Sequence, residues 1–424
     1  MRVLITSFAH NTHFLGCVPL AWALRVAGHE VRFATHPGFT KWVTDAGLTA
    51  VPVGSDHRYF GVSAEETVRI MAELGNTDLT RYSTNLDLAG RPEVLSREFL
   101  HGLDAGSVSG FYSVVNDEAF ASGLVEFARE WSPDIVLWEQ FTFAGAIAAR
   151  ACGAASGRVL WGSDLTGYFR REYLRQLSEL EPEQRRDPLR DWLTELSAPY
   201  GVEFGEDLVV GDWSIDPLPA PFRLDTGLRT IPMRYIPYNG PAVVPEWLKK
   251  AGERRRVCVT TGNSGTHFTA DARTHHRFLT TLAGVDAEIV VTADEARLRA
   301  VGPLPDNVRV VGFAPLHVLL EHCEAVIHHG GAGSWSTALH CGVPQINLPF
   351  LWDAVVRAQQ LEAEGAGLHL SPAEVTAEEL RAAVERVLDE PSFRENAQRL
   401  RQESSAEASL HDVVRTLEDT VRTR

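Results

Sequence analysis

Ala325-Val326-Ile327-His328-His329-Gly330-Gly331-Ala332-Gly333-Ser334 is an apolar run that ends in two histidines and three glycines. Its first three residues read as a strand, and Ser334 to His340 reads as the helix that follows. Glycines at a strand-to-helix turn let the backbone approach a ligand, and the helix start adds about half a positive charge there. Such a turn suits a diphosphate, with the imidazoles as added donors. The GxGxxG pattern of dinucleotide enzymes is absent, and so is the lysine of a P-loop. The anion to be held here therefore belongs to a different kind of nucleotide.

Working outward, further strands are expected at Arg256–Thr260, Glu288–Val291, Val308–Val311 and Gln345–Leu348, with helices between them. The other end of the chain has the same rhythm. Val3-Leu4-Ile5 is a strand. Pro19 opens a helix that Gly28 closes. Val31–Ala34 is a second strand, Pro37 to Ala46 a second helix, and Leu48 to Val53 a third strand. Asp134–Trp138, Phe141–Arg150 and Gly157–Trp161 resume the alternation after an irregular, aromatic-rich passage over 55–130. The Pro-rich run Ile231-Pro232, Ile236-Pro237, Gly240-Pro241 and Val244-Pro245 reads as a connector. The fold class expected is α/β: two facing Rossmann-like, doubly wound domains with a cleft between, residues 1–230 and 231–408, and a C-terminal helix over 409–424 packing back on the first domain.

Bulk composition agrees with two domains. The chain has 424 residues, 44% apolar and 23% charged. Its net charge of −16, from 56 acidic and 40 basic residues, argues against nucleic acid or an anionic membrane as the main partner. It leaves room for one nucleotide held at a helix start. Cys17, Cys152, Cys258, Cys323 and Cys341 are scattered, with no CxxC pair, as expected of reduced cytoplasmic thiols. No apolar run approaches the roughly 20 residues of a membrane helix, and Met1–Ile5 reads as a strand rather than a leader.

Ligands of doubly wound sheets bind outside the C-terminal strand ends, so residues just after strands are the candidates. After the first strand come His10 and His13. Either one of them serves as a general base, or one is structural and the other lies on the surface. A base needs an orienting partner, and Glu139 ends the fourth strand on the same rim. In the second half, Gly262 and Ser264 follow one strand, Phe313 another, and Asp353 a third. Phe313 either stacks on a nucleobase or fills the core. Asp353 either accepts from sugar hydroxyls or caps a helix. Phe60, Tyr82, Phe111 and Tyr112, in the irregular passage, either line an apolar acceptor pocket or form satellite core. No DxD motif and no zinc-type spacing occurs, so no metal site is expected. A leaving diphosphate would then rely on the helix start and His329.

The phrases SFAHNTHF (7–14), VPLAWALRVAGHEVR (18–32), SDHRYF (55–60), EFLHG (98–102), LWGSDLTGYFR (160–170), RLDTGL (223–228), YNGPAVVPEWL (238–248), RRVCVT (255–260) and VIHHGGAGSW (326–335) resemble, nearly end to end, the nucleotide-sugar glycosyltransferases of GT-B fold. Within these they are most similar to the actinomycete enzymes that place deoxysugars on macrolides and other polyketides, of the erythromycin-pathway mycarosyltransferase and desosaminyltransferase kind.

The resemblance implies a hexosyltransferase with a dTDP-deoxysugar as co-substrate, no cofactor, and a macrolide or polyketide hydroxyl as acceptor. His13 matches the family's base and Glu139 stands where plant relatives carry an orienting aspartate. His329, Gly330, Gly331, Gly333 and Ser334 match the diphosphate turn, Gly262 and Ser264 a second phosphate-side loop, and Phe313 an aromatic packing on the base. Asp353 matches the acid of an Asp-Gln pair that holds sugar hydroxyls, but Ala354 follows it, which favours a sugar with fewer hydroxyls. The implied reaction is an inverting in-line displacement. A homodimer, and a helper protein resembling a cytochrome without its haem, are the protein partners the resemblance raises. A nucleotide-sugar epimerase on the same fold and a non-catalytic nucleotide-sugar-binding protein stand as alternatives.

Overall fold

The computed structural model describes residues 1–61, 82, 86–249, 254–260, 272–349 and 351–424. These form two units: Met1–Arg234 together with Glu407–Arg424, and Tyr235–Ala406.

The first unit is built on a seven-stranded sheet. Its strands are β1 (Arg2–Thr6), β2 (Glu30–Thr35), β3 (Ala50–Pro52), β4 (Ile135–Glu139), β5 (Ala155–Val159), β6 (Trp213–Asp216) and β7 (Thr230–Pro232). All neighbours pair parallel in the order β3-β2-β1-β4-β5-β6-β7. Every residue of β4 and β5 is buried, as a parallel sheet covered on both faces requires. Gly157 on β5 has no room for a side chain because the buried Trp213 ring of β6 lies against it. The strand order reverses between β1 and β4, so the residues after these strands sit at the topological switch point.

The second unit has a six-stranded parallel sheet. Its strands are β8 (Arg256–Thr260), β9 (Glu288–Thr292), β10 (Val308–Val311), β11 (Ala325–His328), β12 (Gln345–Asn347) and β13 (Gly367–His369), in the order β10-β9-β8-β11-β12-β13. Alternation along the strands splits the core. Val257, Ile289 and Ile327 pack with Leu279 and Val384, whereas Cys258, Val290 and Val326 pack with Leu319 and Ala338. Its switch point lies between β8 and β11.

Helices depart from the sequence reading in informative ways. The helix expected from Pro19 is α1 (Val18–Val26), but a turn over Asn11–Phe14 and a 3-10 turn over Leu15–Cys17 lead into it, so His13 stands in a helical turn and not in a loop before it. Proline is tolerated near a helix start because its missing N–H has no partner there. The 55–130 passage holds α2 (Arg97–Ser107), a π-helical turn over Val108–Tyr112 and α3 (Glu118–Trp131), with Asp117 capping α3 through Phe120 N–H. The helix expected from Phe141 is α4 (Ala144–Cys152), since 140–143 turn around Glu139.

Ile231-Pro232, read as connector, is instead the edge strand β7, a place where a proline costs no ladder bond. A helix α5 (Leu165–Ser178), capped by Asp164, follows β5. In the second unit α6 (Ala332–Cys341) follows β11 and α7 (Ala354–Ala363) follows β12. The last helix, α8 (Leu410–Arg422), packs on α1 within the first unit, where Glu418 pairs with His29 at 3.0 Å. Among the described residues no helix is long and apolar enough to cross a membrane.

Candidate active site

At the switch point of the first unit, His13 Nδ1 lies 3.0 Å from Glu139 Oε1. They are 126 residues apart in sequence and meet because β1 and β4 are neighbours. Glu139 is fully buried, and four donors hold its carboxylate. His13 Nδ1 and Trp161 Nε1 (2.9 Å) reach Oε1; Thr142 Oγ1 (3.0 Å) and Phe141 N (3.2 Å) reach Oε2. An ionised carboxylate only accepts, so His13 Nδ1 carries the proton and Nε2 is the acceptor. The His13 side chain keeps 16% of its surface exposed and that of Glu139 1%, so the imidazole can be reached and its partner cannot.

Aromatic rings surround this pair. Phe8 (4.5 Å), Trp161 (5.3 Å) and Phe141 (5.9 Å) stand around His13, and Phe111 packs edge-on to both Phe8 and Phe141. Tyr59 stacks on Phe111 and donates its hydroxyl to the Gly110 carbonyl. Of the four acceptor-pocket candidates, Phe111 thus joins the rings around His13. Tyr112 is buried behind Phe141, against Phe143 and Trp192. Phe60 sits by His57, and Tyr82 packs on Phe99 over Gly102.

Sequence reasoning passed over Phe8, Phe141, Thr142 and Trp161. Trp161 could have been found as Glu139 was, from its place at a strand end: it closes the run Gly157–Trp161 and stands past β5, one strand further along the rim. His10 stays beside the site, its ring 5.4 Å from that of His13 and its Nδ1 bonded to Thr12 Oγ1.

In the second unit the glycine turn is held from beneath. His328 is buried; its Nδ1 accepts the Gly330 N–H at 3.0 Å and its Nε2 donates to Gln345 Oε1 at 2.8 Å. The Gly330 carbonyl is taken by Arg357 Nη2 at 2.8 Å. Gly330 has φ +84°, and a Cβ there would meet Ala354 Cβ at 2.8 Å and Pro349 Cβ at 3.2 Å, so only glycine fits. A Cβ on Gly331 would meet His329 Nε2 at 2.6 Å, which places that ring against the turn. Gly331 is the N-cap of α6 and brings no capping side chain, so the first-turn N–H groups at Gly333 and Ser334 are open to a ligand.

Asp353 stands at the N-cap of α7 but makes no capping bond. Four residues on, Arg357 forks onto it at 2.7 and 3.0 Å, both side chains buried, with the guanidinium 5.3 Å from the Trp335 ring centroid. Asp353 therefore acts on the glycine turn through Arg357, a residue not singled out from sequence. Phe313 is 56% exposed, just past β10, so the core-filling alternative does not describe it. Gly262 and Ser264 lie outside the described residues.

Profiles of one family cover both units. The profile described as erythromycin biosynthesis protein CIII-like, N-terminal domain, matches residues 22–262, and its C-terminal-domain counterpart matches 276–420. The chain belongs to the erythromycin biosynthesis protein CIII-like family. This CIII-like chain is 52% identical to erythronolide mycarosyltransferase of Saccharopolyspora erythraea, over 100% of the chain and 99% of that protein. To 3-alpha-mycarosylerythronolide B desosaminyl transferase of the same species it is 46% identical, over 99% and 98%. The crystal structure of the glycosyltransferase VinC in complex with dTDP is similar at TM-score 0.87 and 37% identity, each chain covered in full. The CIII-like chain is accordingly an enzyme, a glycosyltransferase of GT-B fold.

Burial of neutral histidines gives this CIII-like enzyme a pH dependence. Burial foremost pushes His328 down to about 3. In the first unit it pushes His36, stacked on Phe120, to about 3 and His57 to about 4. Unfolded histidines titrate near 6.5. The unfolded chain therefore binds more protons as pH falls below about 6.5, and folding stability falls with it. The stability is complete above that value and is lost down to the folded-state values of 3 to 4. The loss is roughly 1.4 kcal/mol per pH unit for each group. Melting scans at pH 7.5 and 5.5 are expected to show a marked drop in Tm at the lower pH; equal values would contradict the neutral burial of these rings.

Proposed function

We propose that this enzyme transfers a deoxysugar from a dTDP-sugar to a hydroxyl of a macrolide or related polyketide, with inversion and without a metal ion. The observation that carries the reading is the His13–Glu139 pair at the switch point of the first sheet, matched by an uncapped glycine turn at that of the second. His13 Nε2 takes the acceptor proton as the acceptor oxygen attacks the anomeric carbon. The bond from that carbon to the diphosphate oxygen breaks, and dTDP leaves with the electron pair. The α6 start and the His329 ring receive the growing negative charge. The rings of Phe8, Phe111, Phe141 and Trp161 offer an apolar wall to a polyketide.

The likeness to VinC, crystallised with dTDP, supports the donor nucleotide. The named activities of the two Saccharopolyspora erythraea relatives support the sugar and acceptor classes. Asp353 adds a structural reason for a deoxysugar, because its carboxylate is engaged by Arg357 and Ala354 replaces the amide that would bind hydroxyls beside it.

The test is incubation of the purified protein with dTDP-deoxysugars and a panel of macrolide aglycones in excess chelator. A glycosylated product of inverted anomeric configuration is expected. Isomerised donor without acceptor would assign an epimerase instead. Activity restored only by magnesium would end the metal-free mechanism, and tight dTDP binding without turnover across the panel would mean a binding protein.

A further inference from the structure

Glu139 Oε1 serves two donors at once, the His13 imidazole at 3.0 Å and the Trp161 indole N–H at 2.9 Å. A hydrogen bond to a carboxylate disperses its charge and weakens its pull on any other proton. An oxygen shared in this way holds an imidazolium less firmly than one that serves the imidazole alone. The Trp161 ring also stands edge-on to His13, at 83°, and packs on Phe141 at 5.7 Å. Its indole is thereby fixed, and the N–H cannot swing away from the carboxylate without breaking both ring contacts.

We propose that Trp161 is a positioning residue that tempers the basicity of His13 by occupying the Glu139 oxygen that orients it. The proposal rests on the reading of His13 as the general base. A base too tightly paired stays protonated at working pH and takes no proton from the acceptor, whereas one unpaired loses its tautomer. Two donors on one oxygen place the pair between these limits.

Among the described residues, the other titratable groups facing the pair come from its own segment and from the π-helical turn. They are His10, with its ring 5.4 Å from His13, Cys17, whose Sγ donates to the His13 carbonyl, and Tyr112. Burial pushes the Cys17 thiol and the Tyr112 phenol well above their ordinary ranges, so both are neutral. Neither therefore adds a charge beside His13.

Two replacements test this: Trp161→Phe, which keeps a ring, and benzothienylalanine in place of Trp161, which keeps the shape and lacks only the N–H. The readouts are kcat/KM across pH and the nitrogen NMR titration of the His13 imidazole in the free enzyme. Both the acid limb and the imidazole titration are expected to move upward by roughly one pH unit in both variants. An unmoved limb in the isosteric variant overturns the proposal, as does a shift seen with phenylalanine alone, which would report lost packing. His13→Gln is run alongside. Wild-type turnover in that variant would defeat the reading of the base itself. An inert His13→Gln with unmoved Trp161 variants would defeat only the role of the indole.

Discussion

His13→Ala is expected to leave a folded protein that still binds dTDP and transfers sugar about 10²–10⁴ times more slowly, the contribution of a general base. The fold survives because Glu139 keeps three of its four donors: Trp161 Nε1, Thr142 Oγ1 and Phe141 N. A buried carboxylate that loses one bond of four is not left uncompensated, so the stability cost is on the order of 1 kcal/mol. Donor binding survives because the glycine turn belongs to the other unit. The checks are turnover by product mass and the dTDP-induced rise in melting temperature, side by side. Turnover near the wild-type rate would take the base role from His13. Loss of the dTDP shift would mean that the substitution acts on more than proton transfer.

Arg357→Ala is the most damaging single change expected in the second unit. It strips a bidentate partner from the buried Asp353, releases the Gly330 carbonyl, and removes a cation from the Trp335 ring. Removing one member of a buried ion pair costs about 3–5 kcal/mol, because the other charge stays buried and alone. A fall in Tm on the order of 10 °C follows for a unit of this size, with dTDP binding weakened as the turn loosens. Arg357→Lys does not rescue it, since an ammonium cannot fork onto a carboxylate and reach a carbonyl in the same plane. The pair Asp353→Asn with Arg357→Met, which removes both charges, is expected to recover much of the melting temperature and little of the dTDP affinity. A double variant as unstable as Arg357→Ala would show that the lone carboxylate is not the cause.

Both sheets could be read in outline because parallel strands buried on two faces are continuous apolar runs, as at Val3–Ile5 and Ala325–Ile327. The His13–Glu139 pairing was legible for the same reason: once β1 and β4 are placed, the residues after them share a rim. Strands β6 and β7 were not. Trp213–Asp216 is four residues with no apolar run, and Thr230–Pro232 contains a proline that argues against a strand anywhere but at an edge. Trp161 stayed hidden because a tryptophan closing an apolar strand run is ordinarily core, and it is the 2.9 Å contact of its Nε1 with Glu139 that ties it to the pair. Arg357 followed Asp353 at helical spacing, a pattern usually seen on solvated faces. Burial of both side chains turned that common pattern into the prop of the glycine turn.

The return of the chain to its first unit has a bearing on how the molecule is made. Residues 407–424 belong with 1–234, and α8 seals against α1, the helix that continues the turn holding His13. Tyr235–Ala406 is a closed stretch that can complete its sheet as soon as it leaves the ribosome. The unit begun first is finished last, waiting through the synthesis of its neighbour with the α1 surface uncovered. In the nascent chain the second unit is free to complete its fold before the first. Chaperone demand during translation should therefore concentrate on the segment that was translated earliest.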